Sequence, residues 1–250
     1  MNLAPLIIAF ATYSRIPVPM VQWNDENRRN ALLYFPLIGL VIGALLFLWL
    51  RIARFAHLNP FLTGAIGMII PLLVTGGIHM DGFMDTCDAI SSWQSKEKRL
   101  NILKDPHIGA FAGMWGSAYL ILFAALLSAI PEKGILPAAL SFLISRSLSA
   151  IFSVSMKKAR PNGTLAAISG GDVRLTQWIC ALNIGIALVI ITCLAPFVSL
   201  LMLLLLIPFS LLFIRMCHTK FGGITGDLAG YFLSVAELLM MVSSAFGGML

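Results

Sequence analysis

Gly76-Gly77-Ile78-His79-Met80-Asp81-Gly82-Phe83-Met84-Asp85-Thr86-Cys87-Asp88 decides how the chain is read. The stretch grows out of an apolar segment, 61–78, and holds three of the chain's 11 acidic residues. Asp81, Asp85 and Asp88 stand at i, i+4 and i+7, so on a helix they share one face. Three like charges on one face repel, and a divalent cation is the simplest counter-charge. A solvated acidic helix start is the bland alternative, because acids suit a helix N-terminus. The preceding apolar segment argues against it.

The rest of the chain places this stretch at a membrane. Of 250 residues, 59% are hydrophobic and 11% charged, where an average soluble domain is about a quarter charged. Mean hydropathy is +0.92, and apolar runs near the length of a bilayer span recur. The expected fold is all-α: one polytopic transmembrane bundle, residues 1–250, of about seven spans plus short interfacial helices. The spans are expected at 32–50, 61–78, 110–130, 135–156, 178–194, 198–214 and 228–246. The apolar N-terminal run ending before Arg15-Ile16-Pro17-Val18-Pro19 is too short to span and reads as an interfacial or re-entrant helix. A second amphipathic helix is expected from Ser95 to Lys104, stopped by Pro106.

A net charge of +6 in such a chain reports topology and anionic lipid, not nucleic acid. With the N-terminus inside, the inner segments carry 13 of the basic residues, the outer loops carry 3 (Arg51, Arg54, Lys133), and Arg146 falls within a span. That bias predicts a cytoplasmic N-terminus and puts the acidic stretch on the cytoplasmic side. The cysteines, Cys87, Cys180, Cys193 and Cys217, show no CxxC spacing, so neither a zinc site nor a disulfide framework is expected. Cys87 lies between acids, which dulls it as a nucleophile.

Three constellations carry chemistry. Asp81, Asp85 and Asp88 supply hard oxygen ligands of the kind Mg²⁺ takes together with substrate phosphates. Gly76, Gly77 and Gly82 are candidates for close backbone approach to phosphate, and His79 is a candidate base, ligand or donor. The second constellation is Phe221-Gly222-Gly223-Ile224-Thr225-Gly226-Asp227, which reads as a phosphate-cradling turn at a helix start. Asp227 there is either a metal ligand, a base or simply an N-cap. Glu237 follows inside an apolar run, where a charge costs at least ~2.5 kcal/mol, so it must be paired or functional. The third is a set of cations, among which Lys104, Arg146 and Arg160 are candidates to neutralise substrate phosphate. Arg146, within a span, needs a carboxylate or an anionic substrate.

The order GG-x-H-x-DG-x-x-D-x-x-D at Gly76 to Asp88, then Lys104-Asp105 with Gly109, then GG-x-TGD-x-x-G at Gly222 to Gly230, resembles the cobalamin synthases, the adenosylcobinamide-GDP ribazoletransferases. The likeness runs from Arg15-Ile16-Pro17-Val18-Pro19 and Phe35-Pro36-Leu37-Ile38-Gly39 to the last span. The sequence departs from the pattern at Ala89, Pro106 and Ser234. The resemblance implies an enzyme of the cytoplasmic (inner) membrane that needs Mg²⁺. It would join adenosylcobinamide-GDP to α-ribazole, or to α-ribazole 5′-phosphate, giving adenosylcobalamin or its 5′-phosphate plus GMP. On that reading Asp81, Asp85, Asp88 and Asp227 hold metal. Asp227, His79 and Lys104 act in catalysis. Gly76, Gly77, Gly82, Arg146, Arg160, Gly222, Gly223, Thr225 and Gly226 meet substrate. The base is left open between Asp227 and His79, and an oligomer is allowed. The alternatives are a CDP-alcohol-type head-group phosphotransferase and a cation-coupled transporter.

Overall fold

The computed structural model describes residues 3–249, and among these there are twelve α-helices and no β-strand. In chain order they are α1 (Ala4–Tyr13), α2 (Asp25–Arg29), α3 (Phe35–Phe55), α4 (Pro60–Thr75), α5 (Ile78–Ser91) and α6 (Lys96–Ile102). Then come α7 (Ala110–Ala129), α8 (Glu132–Ser155), α9 (Thr164–Ile168), α10 (Val173–Leu194), α11 (Pro196–Met216) and α12 (Gly226–Gly247). A 3-10 turn, Ala31–Tyr34, leads into α3, and a π-helical turn, Cys217–Phe221, closes α11. Six helices are long and apolar enough to cross a membrane, seven if the bent pair α4–α5 is one span. Only helices satisfy their own backbone in lipid, which is why an apolar chain of this kind is helical almost throughout.

α8 and α12 form the middle of the bundle. Their buried faces are rich in small residues, among them Ser141, Ser145 and Ser149 on α8 and Ser234, Ala236 and Ser244 on α12. Small residues let helices approach closely where lipid gives no hydrophobic drive to pack. Gly39 and Gly43, one turn apart on α3, press on the α8 backbone at Phe142 and Ala139, where a Cβ would clash. Phe152, Phe209, Phe213 and Phe232 interlock α8, α11 and α12, with Phe152 meeting Phe232 edge-on at 4.8 Å. The outer faces of α10 and α11 leave Leu182, Ile186, Val189, Leu204 and Leu211 exposed, as lipid-facing helices do.

The two ends of the bundle differ in chemistry. At one end Arg51 and Arg54 pair with Glu132, Arg54 at 2.9 Å, so the turns after α3 and before α8 sit together. At the other end gather α1, α5, α6 and the segments 156–172 and 217–225. Expected and observed boundaries differ in three places. Arg51 and Arg54 lie in the last turns of α3, not in a loop, because the helix continues until it meets Glu132. α10 starts at Val173, capped by Asp172, whose side chain accepts from the Leu175 N–H at 2.9 Å. The second expected span stops at Thr75, where the chain bends by 97° into α5.

Candidate active site

Gly76 and Gly77 make that bend. Both are left-handed, with φ of 66° and 81°, a conformation glycine takes at little cost. α5 therefore leaves the direction of the spans and runs sideways across the first turns of α12 and α7. Its contact with α12 is backbone to backbone: a Cβ on Gly82 would lie 2.9 Å from Asp227 Cα. Gly230 answers it from α12, lying against the His79 backbone. Gly82 is thus spent on helix contact, and the expectation that it approaches phosphate is corrected. Phe83 stacks on Tyr231 at 5.7 Å and tilts against Tyr119 at 5.2 Å, while Gly116 of α7 makes room for Met84.

This docking sets the carboxylates. Asp81, Asp85 and Asp88 share one face of α5, as their spacing requires. Asp88 accepts from the Gly109 N–H at 2.7 Å and the Ala112 N–H at 2.9 Å, so it caps α7 with both oxygens. Asp85 is pushed up to about 7, first by burial and then by the charges of Asp81, Asp227, Asp88 and Asp105. Cys87 is pushed up to about 12 by burial and by Asp88, so it stays a thiol.

The second motif supplies the facing wall. The N-cap of α12 is Thr225, whose hydroxyl oxygen accepts from the Leu228 N–H at 3.3 Å. Asp227 is therefore not the cap; it lies in the first turn with its backbone beside Gly82, and its carboxylate accepts from the Thr225 hydroxyl at 3.3 Å. The segment after α8 pairs with this motif, Ile224 N–H donating to Lys157 O at 2.8 Å and Ala159 N–H to Ile224 O at 3.0 Å. That pairing swings Arg160 to 3.8 Å from Asp227, and Arg160 also donates to the Leu100 carbonyl. Gly223 is pressed against the Lys157 carbonyl, so it serves loop packing, whereas Gly222 (φ 76°) and Gly226 have open space where a Cβ would stand. Lys158 is not at the carboxylates: its ammonium donates to Met156 O at 3.0 Å and to Ser153 O, closing the end of α8.

Three expected site residues stand apart from this group. Arg146 is 1% exposed and pairs with Glu237, with Ser145 donating to the same carboxylate at 3.0 Å. The partner it needs is inside the bundle, so its reading as a substrate contact is corrected. His79 is stacked on Tyr13 at 6.1 Å and tilted against Phe35 at 5.5 Å. Both its ring nitrogens are buried with no hydrogen-bond partner among the described residues. It lines a cavity of ≈ 30 Å³ with Arg146, Ser234 and Glu237, not the aspartate face. Lys104 is exposed after α6.

The donor set suits a hard cation, for it is all carboxylate, and Asp85 is raised first by burial and then by the neighbouring carboxylates. Among the described residues no three such side chains converge closely enough to hold an ion unaided. Mg²⁺ commonly takes only one or two protein carboxylates and fills its shell with phosphate and water, so Asp81, Asp85 and Asp227 fit it as a partial site. Beside Asp81 a cleft of ≈ 630 Å³ opens between α1 and the α4–α5 turn, and it includes Arg15. The sequence counts Arg15 toward topology and toward the family likeness, not as a site residue. The one signal was its place directly after an apolar helix and before a rigid Pro17–Pro19 segment.

The cobalamin-5-phosphate synthase family model matches residues 5–245. The adenosylcobinamide-GDP ribazoletransferase of Lachnoclostridium phytofermentans is 40% identical over 240 residues, covering 94% of this chain and 90% of that one. Those of Desulfitobacterium hafniense and Clostridium botulinum strain Alaska E43 are 32% and 31% identical, with 97% and 96% of each chain covered. No solved structure matches. A match from the first helix to the last, over both aspartate motifs, makes this chain a member of the cobalamin-5-phosphate synthase family.

Proposed function

We propose that this chain joins adenosylcobinamide-GDP to α-ribazole, or to its 5′-phosphate, and releases GMP. The observation that carries the reading is the Asp81–Asp85 face of α5 set against Asp227 and Arg160 at the start of α12. The acceptor's ribose hydroxyl oxygen bonds to the phosphorus on the cobinamide arm. The P–O bond to the GMP moiety breaks, GMP leaves with the bridging oxygen, and the hydroxyl proton passes to Asp227. Asp227 is preferred to His79 as proton acceptor because the His79 ring is enclosed by Tyr13 and Phe35. Arg160 offers charge to the departing GMP phosphate, and Gly222 and Gly226 leave room for it. Asp81 and Asp85 would hold Mg²⁺, which would supply charge neutralisation to the pyrophosphate. Positioning and neutralisation are most of what phosphoryl transfer asks of a protein.

The membrane is the cytoplasmic one, with the site end inward; the 13-to-3 split of basic residues supports this. A head-group phosphotransferase would share the metal logic, but in its DG-x-x-A-R motif, counted from Asp81-Gly82, Asp85 and Thr86 stand where Ala-Arg belongs. The test is GMP release by the purified full chain in detergent, given adenosylcobinamide-GDP, α-ribazole and Mg²⁺. Release that stops with EDTA and returns with Mg²⁺ is expected. No release with either acceptor, or CMP release from a CDP-alcohol instead, overturns the reading.

A further inference from the structure

The cleft between α1 and the α4–α5 turn carries charge of both signs that does not meet. Arg15 and Asp81 both line it, yet no ion pair or hydrogen bond joins their side chains to each other or to another group among the described residues. Arg15 is anchored, not loose. Its N–H donates to Val74 O at 2.7 Å, and its side chain lies across Gly76. A Cβ at Gly76 would strike Arg15 Nε and Cγ, and the φ of 66° there already favours glycine. The turn thus lays an arginine along the wall leading to the aspartates. The lining divides in character by element, with Thr12 and Ser14 beside Arg15 at the α1 end and Leu72, Met80 and Met84 contributed by α4 and α5. A volume of ≈ 630 Å³ lies within the range of small-molecule sites, ~300–1,000 Å³. The first turn of α5, which borders the cleft, has no side-chain cap.

An unpaired arginine, apolar side chains and a carboxylate lining one cleft together suit a ligand with an anionic head, a flat apolar body and a reacting group. A phosphorylated ribonucleoside with an aromatic base is such a ligand. We propose that this cleft is the acceptor site, in which Arg15 binds the acceptor's 5′-phosphate and Leu72, Met80 and Met84 receive its base. The ribose hydroxyl then points to Asp81 and the reaction centre. The proposal rests on the transferase reading and deepens it: Arg15 is what separates α-ribazole 5′-phosphate from α-ribazole. A guanidinium fork on a phosphate is the strong, charge-assisted kind of hydrogen bond.

The test is calorimetric titration of the full chain in detergent and EDTA with each acceptor, so that neither turnover nor metal enters. The wild type is expected to bind α-ribazole 5′-phosphate at least about tenfold more tightly than α-ribazole. Arg15→Ala is expected to collapse that ratio toward one, Arg15→Lys to keep part of it, and Gly76→Ala to lower it by displacing the arginine. Thermal midpoints identify any variant that fails to fold, and Arg15→Lys then stands in for Arg15→Ala. An unchanged ratio in the variants overturns the proposal. Adenosylcobinamide-GDP is titrated in the same way, and a loss confined to it also overturns the proposal, because it would make Arg15 a donor contact. Wild-type GMP release is measured in parallel: its absence defeats the transferase reading, whereas normal release with an unchanged ratio defeats the acceptor site alone.

Discussion

Single residues here divide by whether their charge is answered inside the chain. Glu237 and Arg146 answer one another in the bundle interior, and removing one leaves the other buried and unpaired. Glu237→Gln is expected to destabilise by about 3–5 kcal/mol, read as a lowered thermal midpoint in detergent. The double variant Arg146→Met with Glu237→Leu should recover most of that loss, because it removes both charges together. If Glu237→Gln melts like the wild type, the pair does not hold the bundle. Asp81 is the opposite case, an acid with no ion-pair partner among the described residues. Asp81→Ala is expected to lower kcat/KM by about a hundredfold or more while leaving the thermal midpoint near that of wild type. Both behaviours were partly legible in the sequence: a charge in an apolar run demands a partner, and three acids on one face demand a cation. The identity of Arg146's partner was not legible, since the two residues are 91 positions apart. Only the packing of α8 on α12 joins them.

At the scale of an element, α5 is the part that makes a site out of a bundle. Its helical face and the glycine break before it could be read from spacing. That Asp88 faces α7 could not, because its acceptor role depends on Gly109 and Ala112, 21 and 24 residues on. Nor could the purpose of Gly82, which depends on how near α12 comes. Gly82→Ala should push α5 off Asp227, costing about 1–3 kcal/mol of overpacking and most of the turnover; full activity with an unchanged melt would show that the contact is not tight. The same element carries a pH signature. Asp85 stands at about 7 in the fold against an ordinary 3.8, so between those values the native state binds the extra proton. Its contribution to stability is therefore favourable at low pH and is lost as pH rises through about 7. In EDTA the wild type, relative to Asp85→Asn, is expected to lose thermal midpoint between pH 5 and pH 8, and Mg²⁺ should shrink that loss. A difference that stays flat with pH would remove the crowding of carboxylates as the reason for a cation.

For the whole molecule, one end of the bundle gathers everything that could touch a phosphate. The aspartate face, Arg160 with Asp227, and Arg15 all lie where α1, α5 and the start of α12 meet, whereas the other end holds the Arg51–Arg54–Glu132 cluster. Composition and apolar runs were enough to read the membrane fold and nearly every span. The sideways turn of α5 was hidden, because a glycine pair after an apolar segment looks the same whether the helix continues or turns. The proposed orientation rests on charge, since inner loops hold basic residues, and the proposed nucleotide-activated donor calls for the same orientation. Single cysteines in a background freed of Cys87, Cys180, Cys193 and Cys217 test it. Ala56→Cys, at the Glu132 end, should react with a membrane-impermeant maleimide on intact cells. Gln94→Cys, between α5 and α6, should react only after the membrane is opened. The reverse pattern would put the aspartates outside, away from any supply of guanine nucleotide, and would leave the transferase chemistry without a donor.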